Sequence, residues 1–486
     1  MIPLTALPEL GVGVIYWPAL DGVLSRTDNG VDVLELEPQA FWFQPGPDTH
    51  GYMLDEAVFS HLAEAPQTCL AHGVGFPVGG TCPPDPDQVD AFVRSIIRLG
   101  APWASEHLSF NRLWQAGGEI DMGFLLPPIQ SPESVACAVD NIRFLKRHLP
   151  VPLAVETGVN YLKPLPGEMP DGEFFRSVAE QADCGILLDL HNLWANERNG
   201  RQPICEVVNQ LPLERVIEMH LAGGQEYGGY WVDAHSGLAD PELMDIARQV
   251  VPRLPNLKAI TFEIMPQFLL AYGITDDALI DQFAQLRKLW QLRGTAVSEA
   301  PVPGPRRAGA RPGPVLPAPG QWEEALASIL LPHQHTAPGF AESLAGDDGA
   351  GVIRKLISAA RAGKVADALP LTTRLLLLTL GAARVDQVLD DFWACTPSEQ
   401  MASNEARKFI EWALSGSLGS EVPHLAQVSA FELAANQAIM TGREQLVDFT
   451  MDPVELLGAL RAGRMPSKLP AGRYSLTVTP PAAPSA

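Results

Sequence analysis

The stretch Val216–Leu238, VIEMHLAGGQEYGGYWVDAHSGL, runs from a short apolar segment through a glycine-rich loop to an Asp-x-His pair. The apolar run Val216-Ile217-Glu218-Met219 closes on His220, and Asp233 and His235 follow in the loop behind it. Neutral imidazole and carboxylate are ligands for iron, zinc or manganese. A single histidine at a strand end is ordinarily a hydrogen-bonded structural residue. The metal reading therefore depends on whether the pattern repeats.

It does. Working outward, short apolar runs at Gly11–Trp17, Val31–Glu37, Thr68–Val74, Pro102–Leu108, Pro152–Thr157, Gly185–Leu190, Val216–Ala222 and Lys258–Ile264 alternate with segments of helical period. Pro86–Leu99, Pro132–His148, Asp171–Gln181, Asp240–Val251 and Thr275–Leu292 are such segments. This alternation predicts an α/β fold, a (β/α)8 barrel, with a doubly wound open sheet as the alternative. No G-x-G-x-x-G follows the first strand, which weighs against a dinucleotide fold.

A barrel of this kind carries its site at the C-terminal ends of its strands. Those ends hold His72 in LAHGVG, His107 in ASEHLSF, Glu156 in LAVETGVNY, and Asp189, His191 and Asn192 in LLDLHNLW. His220, Asp233 and His235 follow, and then Glu263 in ITFEIMP. Each is a polar group closing an apolar run, and buried singly each would need a partner. One zinc takes about four ligands, so a set of this size predicts about two to three ions. Glu35 or Glu37 reads as an acid orienting a histidine or as a salt-bridged barrel residue. Glu106, Asn160, Tyr161 and His191 read as contacts around the metals or with substrate, or as structural residues. His50, His61, His148, His333, His335 and His424 read as surface residues.

The chain of 486 residues predicts more than one domain. Its formal net charge of −23 repels a phosphate backbone, so nucleic acid is excluded as a general partner. Six scattered cysteines without a C-x-x-C pair form neither a disulfide framework nor a zinc knuckle. The N-terminus lacks a basic segment before an apolar one, and no apolar run reaches membrane-spanning length. The expectation is a cytoplasmic protein with no membrane association. A barrel domain is expected over 1–294 and a Pro/Gly-rich linker over 295–320, which includes SEAPVPGPRRAGARPGPVLPAPG. A mainly helical domain over 321–471 and a flexible tail over 472–486, with one possible strand at Tyr474–Val478, complete the chain. A linker of this composition marks a boundary with few crossing contacts, so the barrel is expected to be separable.

The stretches GVGVIYW, SEHLSF, VETGVNYL, LLDLHNLWAN, MHLAGG, VDAHSG and TFEIMP resemble the multinuclear non-haem iron-dependent oxidases of the MbnB and TglH type. The ligand order is similar to that of endonuclease IV and the xylose-isomerase-like barrels. The resemblance implies metal ligation by His72, His107, Glu156, Asp189, Asn192, His220, Asp233, His235 and Glu263. Asn192 stands where endonuclease IV has histidine, which favours the oxidases, and Thr157 stands where many oxidases have asparagine. The stretches LLLLTLGAARVDQVLDDFW and ARKFIEWALSGSLGSEVPHLAQVSAFELAANQAIM look like the small helical partner of these oxidases, the MbnC type, here joined in cis. The resemblance implies two to three irons of mixed Fe2+/Fe3+ state, O2 as co-substrate, and a Cys-containing precursor peptide as substrate. A zinc or manganese phosphodiesterase or sugar isomerase on the same barrel is the rival reading. A non-catalytic metal-binding maturation scaffold is the other.

Overall fold

The computed structural model describes residues 3–44, 51–115, 118–294, 315–331, 340–466 and 469–480. Most of the expected linker, together with His50, His333, His335 and the end of the tail, lies outside these residues. Eight parallel strands close into a barrel: β1 Gly11–Ile15, β2 Val33–Leu36, β3 Thr68–Gly73, β4 Ala104–His107, β5 Leu153–Glu156, β6 Gly185–Asp189, β7 Val216–Ala222 and β8 Ala259–Glu263. Each pairs with the next, and β8 returns to β1 through Gly11↔Ala259 to Val14↔Phe262, which rules out the open sheet. Strands of a parallel sheet are covered on both faces, which is why they read as apolar runs rather than as alternations.

Short polar signals set the surrounding helices. Asp85 accepts from Asp87 N to cap Pro86–Leu99, and Gly100, at φ 65°, ends it in the left-handed conformation. Asp189, at the end of β6, accepts from Asn192 N and caps Leu190–Arg198. That cap turns the chain within one residue, so His191 and Asn192 stay at the barrel mouth.

Three expectations are corrected. The first concerns the linker: Pro319 and Gly320 open the helix Pro319–Leu330, because proline fits the first helical turn, where its missing N–H costs nothing. The second concerns the tail. Its possible strand is present, longer than expected, as Ala471–Val478, and it is paired antiparallel with Gln445–Met451 inside the expected helical domain, so this half of the tail is held in a sheet. The third concerns separability. An apolar cluster joins Phe110, Leu113, Met122, Leu126, Tyr161 and Val232 of the N-terminal part to Trp322, Leu326, Leu330, Leu344, Ile353 and Ile357. Polar contacts reinforce it: Trp322 Nε1 donates to Pro127 O at 2.9 Å, Thr81 N to Glu323 Oε1 at 2.7 Å, and Lys163 N to Asp347 Oδ2 at 3.0 Å. The helical part has its own core around Phe392, Phe409, Val428 and Leu456.

Of the elements that were not foreseen, one bears on the site. After β4 the chain makes an antiparallel hairpin, Phe110–Gln115 with Gly118–Leu126. It stands over the barrel mouth and carries Phe110, Leu113, Met122 and Leu126 into the shared apolar cluster. No helix among the described residues is long and apolar enough to cross a membrane.

Candidate metal centre

The barrel brings the strand-end residues together. His72 Nε2 and His107 Nε2 lie 3.1 and 3.0 Å from the same Glu156 oxygen. Glu156, Asp189 and His220 form a second group that shares Glu156 with the first. Around Asp233, His235 Nε2 is 2.9 Å from Oδ1 and also 3.3 Å from Glu263 Oε2, while His220 Nδ1 is 3.2 Å from Glu263 Oε1. Asn192 directs its NH2 to Glu156 Oε1 and to Thr157 O, both at 3.2 Å, which leaves its carbonyl oxygen free.

These atoms approach without bonding one another. His72 Nε2, Glu156 Oε2, Asp189 Oδ2, Asn192 Oδ1, His220 Nδ1, Asp233 Oδ1 and Glu263 Oε2 are all buried and have no hydrogen-bond partner. Lone pairs that converge at about 3 Å and miss each other are spaced as ligands around ions bound at about 2.1 Å. Left orphaned, each would cost free energy. The donor set and its geometry therefore fit metal ions, and Glu156 belongs to both candidate groups.

The rings are oriented from behind. His107 Nδ1 meets Gly73 O at 3.1 Å, so it must carry the proton, and the Nε2 lone pair faces the centre. His220 Nε2 donates to Glu35 Oε2 at 2.9 Å, which turns Nδ1 inward. His72 Nδ1 contacts Ser105 Oγ at 2.8 Å, and Ser105 donates on to Glu35 Oε1 at 3.4 Å. Glu35 is thus the orienting acid of the two considered, while Glu37 lines the cavity beside the centre. Below them Glu218 accepts from Trp103 Nε1 at 2.8 Å. Glu35, Glu218 and His220 are close enough to hold an ion, but these bonds already occupy them, and they form a hydrogen-bonded floor.

Charge accumulates accordingly. Burial disfavours a charged His107, but the Glu156 carboxylate outweighs it and pushes the ring up to about 10. Burial, and then the Glu263 and Glu156 carboxylates, hold Asp189 well above the usual range. Asp233 goes the other way: burial opposes its charge, but His235 and His191 win. A carboxylate that cannot ionise among its neighbours is one that a cation would release.

Glu106, Asn160, Tyr161 and His191 brace the site. Glu106 accepts from His107 N at 2.9 Å, and burial pushes its carboxyl up to about 7 against the pull of His107. Asn160 N donates to Asn196 Oδ1 at 2.8 Å. Tyr161 Oη accepts from Asp233 N at 3.0 Å. His191 Nδ1 lies 3.1 Å from Asp233 Oδ1, and its Nε2 accepts from Trp231 Nε1 at 3.1 Å. Indole only donates, so His191 must keep its proton on Nδ1, toward Asp233. His61 and His148 are on exposed helix faces, as expected.

A cavity of about 260 Å³ opens beside the centre, lined by His107, Asn192, Asp233, His235 and Glu263 and also by Phe124–Leu126 of the hairpin and the prolines Pro127 and Pro128 that follow it. The hairpin and Ser105 were missed in the sequence. The alternation in FNRLWQ and GEIDMGFLL around a glycine was the available signal for the hairpin. Ser105, two residues before His107 on β4, shares its face.

Comparisons with known proteins agree on the first half of the chain. The family described as "RiPP precursor modification enzyme MbnB/TglH/ChrH" matches residues 11–264. A UPF0276 protein of Streptomyces avermitilis is 30% identical over 257 residues, 51% of this chain and 50% of that protein. A UPF0276 protein of Chromobacterium violaceum is 27% identical over 255 residues, 51% of this chain and 90% of that protein. The chain thus spans half the length of the Streptomyces relative. Among solved structures, a D-psicose 3-epimerase from Clostridium cellulolyticum H10 superposes with a TM-score of 0.39 at 11% identity, covering 58% of this chain and 99% of that one.

Proposed function

Because this chain belongs to the MbnB/TglH/ChrH family of RiPP precursor modification enzymes, we propose that it is an iron- and O2-dependent oxidase acting on a cysteine of a ribosomally made precursor peptide. The observation that carries the reading is the set of buried, unpartnered imidazole, carboxylate and amide atoms converging at the barrel mouth. A bound iron centre would supply a soft anchor for thiolate and redox chemistry toward O2.

This chain's own residues do the rest. His72, His107, Glu156, Asp189, Asn192, His220, Asp233, His235 and Glu263 would hold the ions, and Glu35, Gly73 O and Ser105 fix which ring nitrogen is turned toward them. Phe124 and Leu126 of the hairpin add apolar surface to the cavity beside these residues. The helical part, read as the peptide-presenting partner in cis, packs on that hairpin through Leu326 and Ile353. Peptide presentation and hairpin placement are in this way linked. An acidic chain with charge −23 favours a peptide over a nucleic acid as the guest.

The test is metal analysis of the full chain, followed by oxygen-consumption and mass measurements with short Cys-containing peptides. Iron at about two to three per chain, with O2 uptake matched to a change in peptide mass, is the expected result. Stoichiometric zinc that supports turnover without O2 would replace this reading with the zinc-dependent rival. Full iron loading without turnover of any peptide would favour the scaffold.

A further inference from the structure

We propose that the cavity beside the metal centre is a socket for an apolar side chain of the peptide, and that Gln130 Oε1 receives the backbone N–H of that residue. The inference rests on the reading that a peptide is the substrate, and it adds the kind of residue that must sit next to the reacting one.

Two observations carry it. The first is the lining. Away from the metal ligands the wall includes Phe124, Leu126, Val159, Phe174 and Phe175, and most of its polar members, among them Asn160, Asp171 and Asn196, are already engaged in hydrogen bonds to their neighbours. Against these five residues a Leu- or Phe-class side chain buries apolar surface and leaves no polar group without a partner.

The second is the orientation of Gln130. Its Nε2 donates to Asp171 Oδ1 at 2.7 Å. Asp171 is gripped by the buried Arg201, whose Nη2 reaches Oδ1 at 2.6 Å and whose Nε reaches Oδ2 at 3.3 Å. An ionised carboxylate only accepts, so the glutamine must present its NH2 there, and its carbonyl oxygen is left over. That oxygen is buried without a partner, as is Ser109 Oγ, and both residues line the cavity. A few convergent polar atoms on an apolar lining form a site that orients a ligand by its backbone while selecting its side chain by shape.

The experiment uses the full chain loaded with zinc, which binds the same ligands without redox turnover. The probes are the N-acetyl amides of glycine, aspartate, leucine and phenylalanine, titrated by ligand-observed NMR. The leucine and phenylalanine amides are expected to bind at least about tenfold more tightly than the other two. Val159→Trp, which fills the cavity, should abolish that preference with metal content unchanged. Gln130→Met, which leaves the walls intact, should weaken all four amides by about tenfold and keep their order. Equal binding of the glycine and phenylalanine amides, or a Gln130→Met chain that binds all four as before, overturns the socket. In parallel, the iron-loaded chain is mixed anaerobically with N-acetylcysteine amide and its thiolate absorption band recorded. A band without apolar preference sinks the socket and leaves the substrate reading standing. Apolar preference without a band leaves a pocket and sinks the thiol reading.

Discussion

His235 sits at φ 48°, in the left-handed region that residues with a Cβ rarely adopt, with its carbonyl held by Met265 N at 3.0 Å. Strain of this kind persists where the surroundings over-determine it, and here it turns the ring toward Asp233 and Glu263. His220→Ala and Asp233→Ala should each lower iron content and abolish turnover while the far-UV spectrum is kept, since each removes one ligand and leaves the barrel core intact. Full iron content in both variants would contradict the placement of the centre. His61→Ala, on an exposed helix face, should be silent within about 0.5 kcal/mol. Glu35→Gln tests orientation from behind the ligand: it should weaken metal affinity about 10–100-fold in a chelator competition. The pH dependence has a definite sign. In the metal-free chain Glu156 pushes His107 up to about 10, so at neutral pH the ring carries a proton that a metal must displace. Metal affinity should therefore rise with pH across the neutral range, by about tenfold per unit for each proton displaced. An affinity that falls from pH 6 to 8 would contradict this, because the imidazole would then not be exchanging a proton for the ion.

At the scale of elements, the helix Asp348–Ala368 begins against the loop that follows β5. Gly349 packs so closely that a Cβ there would lie 2.1 Å from Tyr161 O, a backbone atom with no room to yield. Tyr161 in turn accepts from Asp233 N. A contact made by the helical part thus reaches Asp233, one of the proposed ligands, through one tyrosine. Gly349→Ala should cost about 1–3 kcal/mol through overpacking and should lower iron content as well as melting temperature. A variant that melts lower yet binds iron as before would show that the contact is only structural. The hairpin is fixed in the same manner: a Cβ on Gly123, at φ 75°, would meet Ser398 Oγ at 3.1 Å and Ile357 Cγ2 at 3.3 Å.

At the scale of the molecule, the shared apolar cluster changes what truncation should do. Ending the chain at residue 294 would expose Phe110, Leu113, Met122 and Leu126 on the hairpin and remove the brace on Tyr161. The expected outcome is an aggregating or iron-poor barrel, partly rescued by adding the 315–486 segment in trans at high concentration. A soluble, fully iron-loaded 1–294 chain would show that the two parts are independent after all.

The alternation of apolar runs with helical periods was enough to determine a parallel α/β fold, because strands buried on both faces must read as apolar whatever surrounds them, while the choice of a closed barrel over an open sheet was made only by the pairing of β8 with β1. It was also enough to point to the strand ends, since His72, His107, Glu156, His220 and Glu263 repeat at strand after strand a polar group that would be unexceptional at one. What stood behind those ends was not legible. Glu35 and His220 are 185 residues apart, and only barrel closure through β1 and β8 brings them into contact. The same holds for the cavity. Gln130, Asp171 and Arg201 are unremarkable singly, and their shared geometry exists only once the helices have packed. The proline-rich stretch misled because composition reports the stiffness of a connection, not the surfaces on either side of it. Whether Trp322 and Leu326 face solvent or the hairpin is decided by tertiary packing alone, since an apolar helix face looks the same whichever partner covers it.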